Sequence, residues 1–391
     1  MKKTVAVLTA TRAEYGLLRP VINQLCGIDD FDVKIVVTGM HLSQRFGLTY
    51  QEIEQDGYSI DEKIEILSQN DSPETVSMAM GKAMIGFGQY FEKLKPDLIV
   101  ALGDRYEALA VCCAAMNSNI PIAHIYGGEL TQGAIDDAFR HSITKMSHLH
   151  FTSLPEYRKR VIQLGEAPDR VFTVGSLGVE NIRNTEFIGK EELTKWLGIT
   201  NEKAYAVVTF HPETLGNNDV RDQFASLADA LNRHPEYQYI ITKANADPSG
   251  DVINEMIDEL AVKNSGIKAF ASLGTQRYLS ALKYAEMVIG NSSSGILEAP
   301  SFGIPTINIG SRQKGRIQSK SVINCVSTVN SISGAIALAG TNEFREIASK
   351  AINPYGSGDT SKRIAEIIKD YLLYHNIDLK KRFYDIDFNI S

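Results

Sequence analysis

Three carboxylates stand just after apolar runs: Asp104 in Gly103-Asp104-Arg105-Tyr106-Glu107, Glu129 in Tyr126-Gly127-Gly128-Glu129, and Asp136 at the head of Asp136-Asp137-Ala138-Phe139-Arg140-His141. Carboxylates that face one cleft raise each other's pKa and so divide acid and base work between them. A second set of residues favours anions. Arg12, in Thr11-Arg12-Ala13-Glu14-Tyr15-Gly16, is placed where a helix should begin, so its guanidinium adds to backbone N–H groups and the positive end of the helix dipole. His211, in Phe210-His211-Pro212-Glu213-Thr214, closes another apolar run and is placed to donate to a phosphate or to shuttle a proton. Gly290-Asn291-Ser292-Ser293-Ser294-Gly295 precedes a helix bearing Glu298. Small residues there let the backbone approach a ligand, hydroxyls and N–H groups can bind a diphosphate, and Glu298 can accept from ribose hydroxyls. Ser311-Arg312-Gln313-Lys314-Gly315-Arg316 is the densest basic loop, which gives Arg312 a phosphate role. Each residue alone also admits a structural reading: a surface ion pair for Arg12, an N-cap for Asp136, a core histidine for His211 or His124, a plain serine N-cap at 292–294. His148 and His150 share a strand face but have no third ligand near them, and no metal site is expected.

The apolar runs that must carry these residues are rich in Val and Ile, and each is followed by a turn and a helical pattern. Strands are expected over 5–9, 33–38, 98–102, 122–125 and 148–152, with helices over 73–94, 106–116, 135–147 and 155–164 between them. A second series begins at 171–174 and continues over 206–210, 239–242, 267–271, 287–289 and 306–309. This is the rhythm of βαβ units, and near-continuous apolar strands mean burial on both sheet faces. The fold class is therefore α/β, with two Rossmann-like doubly wound domains and a boundary near Gly175. In such sheets ligands gather outside the carboxyl ends of the strands, where these polar residues lie. No G-x-G-x-x-G follows the first strand, so no dinucleotide cofactor is expected. The helical pattern over 360–374 does not itself say which half it packs on.

The chain has 391 residues, 43% hydrophobic and 22% charged, the balance of a soluble globular protein with length for two domains. A formal charge of −7 without a long basic run leaves no footprint for nucleic acid or a membrane surface. The four cysteines form no C-x-x-C pair and are read as reduced thiols. Arg12 and Glu14 interrupt the first apolar stretch before any cleavage pattern, and no window approaches the ~18 apolar residues of a spanning helix. A cytoplasmic location is expected.

At these residues the sequence resembles the UDP-N-acetylglucosamine 2-epimerase family, in particular its hydrolysing, sialic acid branch. The likeness runs nearly end to end, through 11–16, Val37-Thr38-Gly39-Met40-His41, 103–105, 127–129, 136–145, 210–212 and 291–295. It implies the glycosyltransferase-B type of fold with an interdomain cleft: residues 1–174 bearing the sugar-side carboxylates, 175–365 binding UDP, and 366–391 returning to the first domain. It implies UDP contacts from Arg12, Arg105, His211, Asn245, Ser292, Ser293, Glu298 and Arg312 and a sugar-side acid and base set that includes Asp104 and Asp136; with Glu129 and His211, read from the residues above, these are the candidate catalytic groups. The implied reaction turns UDP-N-acetylglucosamine and water into N-acetylmannosamine and UDP through 2-acetamidoglucal, without a cofactor, in a homodimer or homotetramer. Many hydrolysing relatives read His-Ile-Glu-Gly-Gly-Glu, where this chain has Tyr126 in place of the first glutamate, so Glu129 or a phenol takes over that work or the sugar is handled differently. Alternatives are the same chemistry on UDP-2,4-diacetamido-2,4,6-trideoxyglucose for legionaminic acid, a glycosyltransferase, and a non-catalytic UDP-sugar sensor.

Overall fold

The computed structural model describes residues 2–68, 72–131, 135–212, 219–244, 249–356, 358–375 and 378–387. Two parallel sheets organise it. The first contains β1 (Lys3–Thr9), β2 (Phe31–Thr38), β3 (Ile60–Ile64), β4 (Leu98–Leu102), β5 (Ile122–Ile125), β6 (Leu149–Thr152) and β7 (Val171–Thr173), in the order β3-β2-β1-β4-β5-β6-β7. The second contains β8 (Tyr205–Thr209), β9 (Gln238–Thr242), β10 (Ile267–Phe270), β11 (Met287–Gly290), β12 (Thr306–Ile309) and β13 (Val322–Cys325), in the order β10-β9-β8-β11-β12-β13. Central strands such as β4, Leu-Ile-Val-Ala-Leu, and β8, Tyr-Ala-Val-Val-Thr, are buried at every position, as such uncharged, largely apolar runs require of a sheet covered on both faces.

Three features depart from the sequence reading. Strand β7 does not open the second sheet; it pairs with β6, His150 opposite Val171, and ends the first. Strands β3 and β13 were not anticipated because both are edges with polar sequence: β3 reads Ile-Asp-Glu-Lys-Ile with its three charged residues exposed, and β13 carries an exposed Asn324. Edge strands keep such residues to discourage pairing with other chains.

The last helix, Thr360–Tyr374, packs on the helix Arg12–Cys26 of the first sheet, and its Ile364, Ala365, Ile368, Tyr371 and Leu372 join that sheet's core. Glu180, on the helix Leu177–Asn184 that leaves the first sheet, accepts from the N–H of Ser361 at 2.7 Å and its hydroxyl at 2.5 Å. The two places where the chain passes between sheets are thus tied together. Strand order reverses between β1 and β4 in one sheet and between β8 and β11 in the other, and a doubly wound sheet opens a crevice at such a point.

Candidate active site

A cavity of about 370 Å³ lies where these two crevices face each other. Its walls carry Arg12, Asp104, Arg105, Tyr126 and Asp136 from the first half, and His211, Ser292, Ser293, Glu298 and Arg312 from the second. Of the expected site residues, Asn245 lies outside the described residues, and Glu129 is not on the wall.

The second-half wall is organised by Asn291, which is fully buried. Its side chain accepts from the His211 N–H at 2.7 Å and donates to the His211 carbonyl at 2.8 Å, fixing the backbone on which the imidazole stands. Its own carbonyl accepts from Gln313 at 2.8 Å and from Arg312 at 3.4 Å, so the same residue seats the basic loop. The turn needs Gly290: its φ is +136°, and a Cβ there would run into the Thr209 carbonyl of the neighbouring strand. One turn on, Tyr278 donates to the Ser294 hydroxyl at 2.7 Å, which donates to Glu298 at 2.5 Å. Burial pushes the Glu298 carboxyl above its usual range, and the Ser294 hydrogen bond pulls it part of the way back. Tyr278 was missed, because an aromatic at this spacing reads as core.

On the first-half wall, Arg12 opens its helix as anticipated and pairs with Glu52 at 2.7 Å rather than with Glu14. Gly274, at φ +72°, makes room for that guanidinium, which occupies the place a Cβ would need. Thr11 and Glu14 form a reciprocal capping box, with Glu14 accepting from the N–H groups of Ala10 at 2.8 Å and Thr11 at 3.2 Å. Burial raises the Glu14 carboxyl to about 7 although Arg105 opposes the shift and Glu107 adds to it. Arg105 donates to the fully buried Glu107 at 3.0 and 3.2 Å, which orients the guanidinium along the wall.

Asp104 is ion-paired with Arg140, whose side chain is 2% exposed and which also reaches Asp137 at 3.1 Å and the Thr131 hydroxyl at 2.8 Å. Sequence reasoning assigned Arg140 no role. The available signal was its position three and four residues beyond Asp137 and Asp136 on a helix, which puts all three on neighbouring turns of one face. Asp136 occupies the first helical position and is not the N-cap; Ile135 is. His124 is a structural histidine: Nε2 contacts the Gly103 carbonyl at 2.7 Å, Nδ1 contacts Thr144 at 3.2 Å, and burial lowers it to about 3. It stays neutral and holds the turn that presents Asp104. His150 is engaged by Glu166 at 3.0 Å.

Glu129 corrects the sequence reading. It is 2% exposed, paired with Arg316 at 2.7 Å and accepting from Ser153 at 2.8 Å, so its carboxylate points behind the cavity rather than into it. The Tyr126 phenol is also engaged: it accepts from the Leu177 N–H at 2.9 Å and lies 3.4 Å from the Ser176 hydroxyl, and burial, the largest influence, pushes its ionisation up.

Two doubly wound parallel sheets that face each other across a cleft lined by cationic and carboxylate side chains make a fold of the glycosyltransferase-B type. The description of the UDP-N-acetylglucosamine 2-epimerase family matches residues 24–369. A GDP/UDP-N,N'-diacetylbacillosamine 2-epimerase (hydrolyzing) of Campylobacter jejuni is 44% identical over 346 residues, 88% of this chain and 89% of that relative. Polysialic acid biosynthesis protein P7 of Escherichia coli is 39% identical over 98% of each chain. A crystal structure of the Neisseria meningitidis UDP-GlcNAc 2-epimerase bound to UDP-GlcNAc shares the fold, with a TM-score of 0.78 at 18% identity over 94% of this chain and 99% of that one. The chain belongs to the UDP-N-acetylglucosamine 2-epimerase family.

Proposed function

We propose that this chain is a hydrolysing 2-epimerase that converts UDP-N-acetylglucosamine and water to N-acetylmannosamine and UDP. One observation carries the reading: a single cavity gathers Asp104 and Asp136, with Arg12 and Arg105 beside them, opposite His211, Ser292, Ser293, Glu298 and Arg312. A carboxylate removes the C2 proton, the C1–O bond breaks with its electrons leaving on UDP, and a C1=C2 double bond forms. Water then adds its oxygen to C1 while C2 is protonated from the opposite face. Asp104 and Asp136 divide the two proton transfers, and the cationic wall stabilises charge on the departing diphosphate. Solvent becomes the source of the C2 hydrogen. In deuterated water, product carrying no deuterium at C2 would remove this reading, and release of UDP only with an added acceptor would indicate a transferase.

The second reading keeps the chemistry and changes the sugar to UDP-2,4-diacetamido-2,4,6-trideoxyglucose, favoured by the name of the Campylobacter relative. The two substrates differ at C4 and C6, and a side-by-side comparison of kcat/KM separates them. We place the activity in a cytoplasmic homodimer or homotetramer. No described helix is long and apolar enough to cross a membrane, and exposed Met78 and Ile85, two turns apart on one helix, offer an apolar face to a second copy.

A further inference from the structure

Glu129 and Arg316 come from opposite halves of the chain and meet behind the cavity. Their side chains are 2% and 7% exposed, and the ion pair is 2.7 Å long. Two more contacts fix the meeting point: Arg316 Nε donates to the Leu130 carbonyl at 3.0 Å, and the Ser153 hydroxyl donates to Glu129 at 2.8 Å. A charge pair so far from water must be geometrically well placed, since each ion has lost its hydration.

What the pair connects matters more than the pair itself. On the first-half side, Thr131 donates its N–H to Asp137 at 2.8 Å and accepts from Arg140 through its hydroxyl at 2.8 Å, and Arg140 is the partner of Asp104. On the second-half side, Arg316 ends the loop whose Gln313 and Arg312 both bond the Asn291 carbonyl, and Asn291 clamps His211. A series of polar contacts, joined through the Arg316 N–H to the Gln313 carbonyl at 3.2 Å and through the Leu130–Thr131 peptide bond, therefore runs behind the cavity from the phosphate wall to the acid–base wall. Such hydrogen-bonded series are the physical carriers of coupling between sites.

We infer that Glu129 and Arg316 are positioning residues, which seat the Asp104–Arg140–Asp137 cluster against the phosphate-binding loop so that occupancy of the diphosphate site orders the acid–base wall. The inference rests on the proposed elimination and hydration, and gives Glu129 a task other than proton transfer.

The test uses the full chain and UDP as probe. In the wild type, UDP should slow amide hydrogen exchange both at 291–298 and in the first turns of the helix Asp136–Met146. Glu129→Gln keeps an acceptor for Ser153 but loses the charge; it should bind UDP within about threefold of the wild type while kcat falls about 30-fold or more at little change in KM, the pattern of a transition-state contribution. In that variant UDP still protects 291–298 and no longer protects the Asp136 helix. Arg316→Met should behave alike, and Arg316→Lys, which keeps the charge without the Leu130 bond, should recover part of kcat. Because a lone buried charge can prevent folding, the double variant Glu129→Gln/Arg316→Met is measured alongside. A wild type whose Asp136 helix gains no protection from UDP, or variants with normal kcat or intact coupling, would overturn the inference. Coupled protection in a wild type that places no solvent deuterium at C2 would instead overturn the reaction and leave the positioning role standing.

Discussion

Asn291 and His211 are joined by two hydrogen bonds, N–H to amide oxygen at 2.7 Å and amide N–H to carbonyl at 2.8 Å, in a site where Asn291 is inaccessible to solvent. The asparagine side chain thus pairs with a single residue's backbone across the β8–β11 switch point, and the histidine cannot move without the serine loop. Asn291→Ala would remove both hydrogen bonds from the buried His211 backbone, at a cost of about 2–4 kcal/mol. We expect a correspondingly lower denaturation midpoint and UDP binding weakened about tenfold or more, read by calorimetry. Unchanged UDP affinity would show that His211 is not part of the nucleotide site.

Glu298 is the acceptor we assign to ribose. Its carboxylate is already approached by Ser294, itself approached by Tyr278, so one face is spoken for and the cavity side remains for a ligand hydroxyl. The wild type should therefore bind 2′-deoxy-UDP or 3′-deoxy-UDP about tenfold less tightly than UDP, ~1.4 kcal/mol for one hydrogen bond to a charged group. Glu298→Ala should bind that deoxy compound and UDP equally. A variant that still discriminates would assign the ribose contact elsewhere.

The sheet-forming runs were legible because burial on both faces leaves near-continuous apolar stretches without charge, as in Leu98–Leu102 and Ala206–Val208. The edge strands were not, since Asp61, Glu62 and Lys63 serve a solvent-facing edge and obey no apolar pattern. At the site, the strand-end rule brought Asp104, Asp136, His211 and the serine loop to one cavity, because position along a parallel strand determines which end of the sheet a residue faces. The rule could not say which way a side chain turns. Glu129 follows β5 directly yet points behind the cavity, since Arg316, 187 residues later, draws it there. Only the tertiary fold supplies such a partner.

Tyr126 occupies the position at which the family resemblance leads one to expect a glutamate. Its φ of +71° is a conformation a bulky residue adopts only when its surroundings impose it. Those surroundings are the Leu177 N–H and the Ser176 hydroxyl at the start of the segment leaving the first sheet. We therefore assign the phenol to anchoring the interdomain crossing rather than to proton abstraction, an assignment in keeping with the burial that shifts its ionisation upward. Tyr126→Phe should lower stability by about 1–3 kcal/mol, through the orphaned Leu177 N–H, and change kcat less than threefold in the pH range where the fold holds. A loss of 100-fold in kcat with stability intact would place the phenol in the chemistry.

Glu14 gives the protein a distinctive dependence on pH. Its folded value is raised to about 7 from 4.5, chiefly by burial, with Arg105 opposing and Glu107 reinforcing the shift. The folded state then holds a proton that the unfolded chain releases, so between pH 4.5 and 7 the native form binds more protons and stability falls as pH rises. The contribution is fully present below the unfolded value and is lost as pH climbs through the folded one. A shift of this size corresponds to about 3–4 kcal/mol in all, of which about 2–3 kcal/mol falls between pH 5 and pH 8. Glu14→Gln keeps an acceptor for the Ala10 and Thr11 N–H groups but does not titrate. Denaturant unfolding at pH 5 and pH 8 should show the wild type losing about 2–3 kcal/mol more than the variant over that interval. Equal losses would mean that Glu14 is ionised in the folded protein throughout, with Arg105 prevailing over burial.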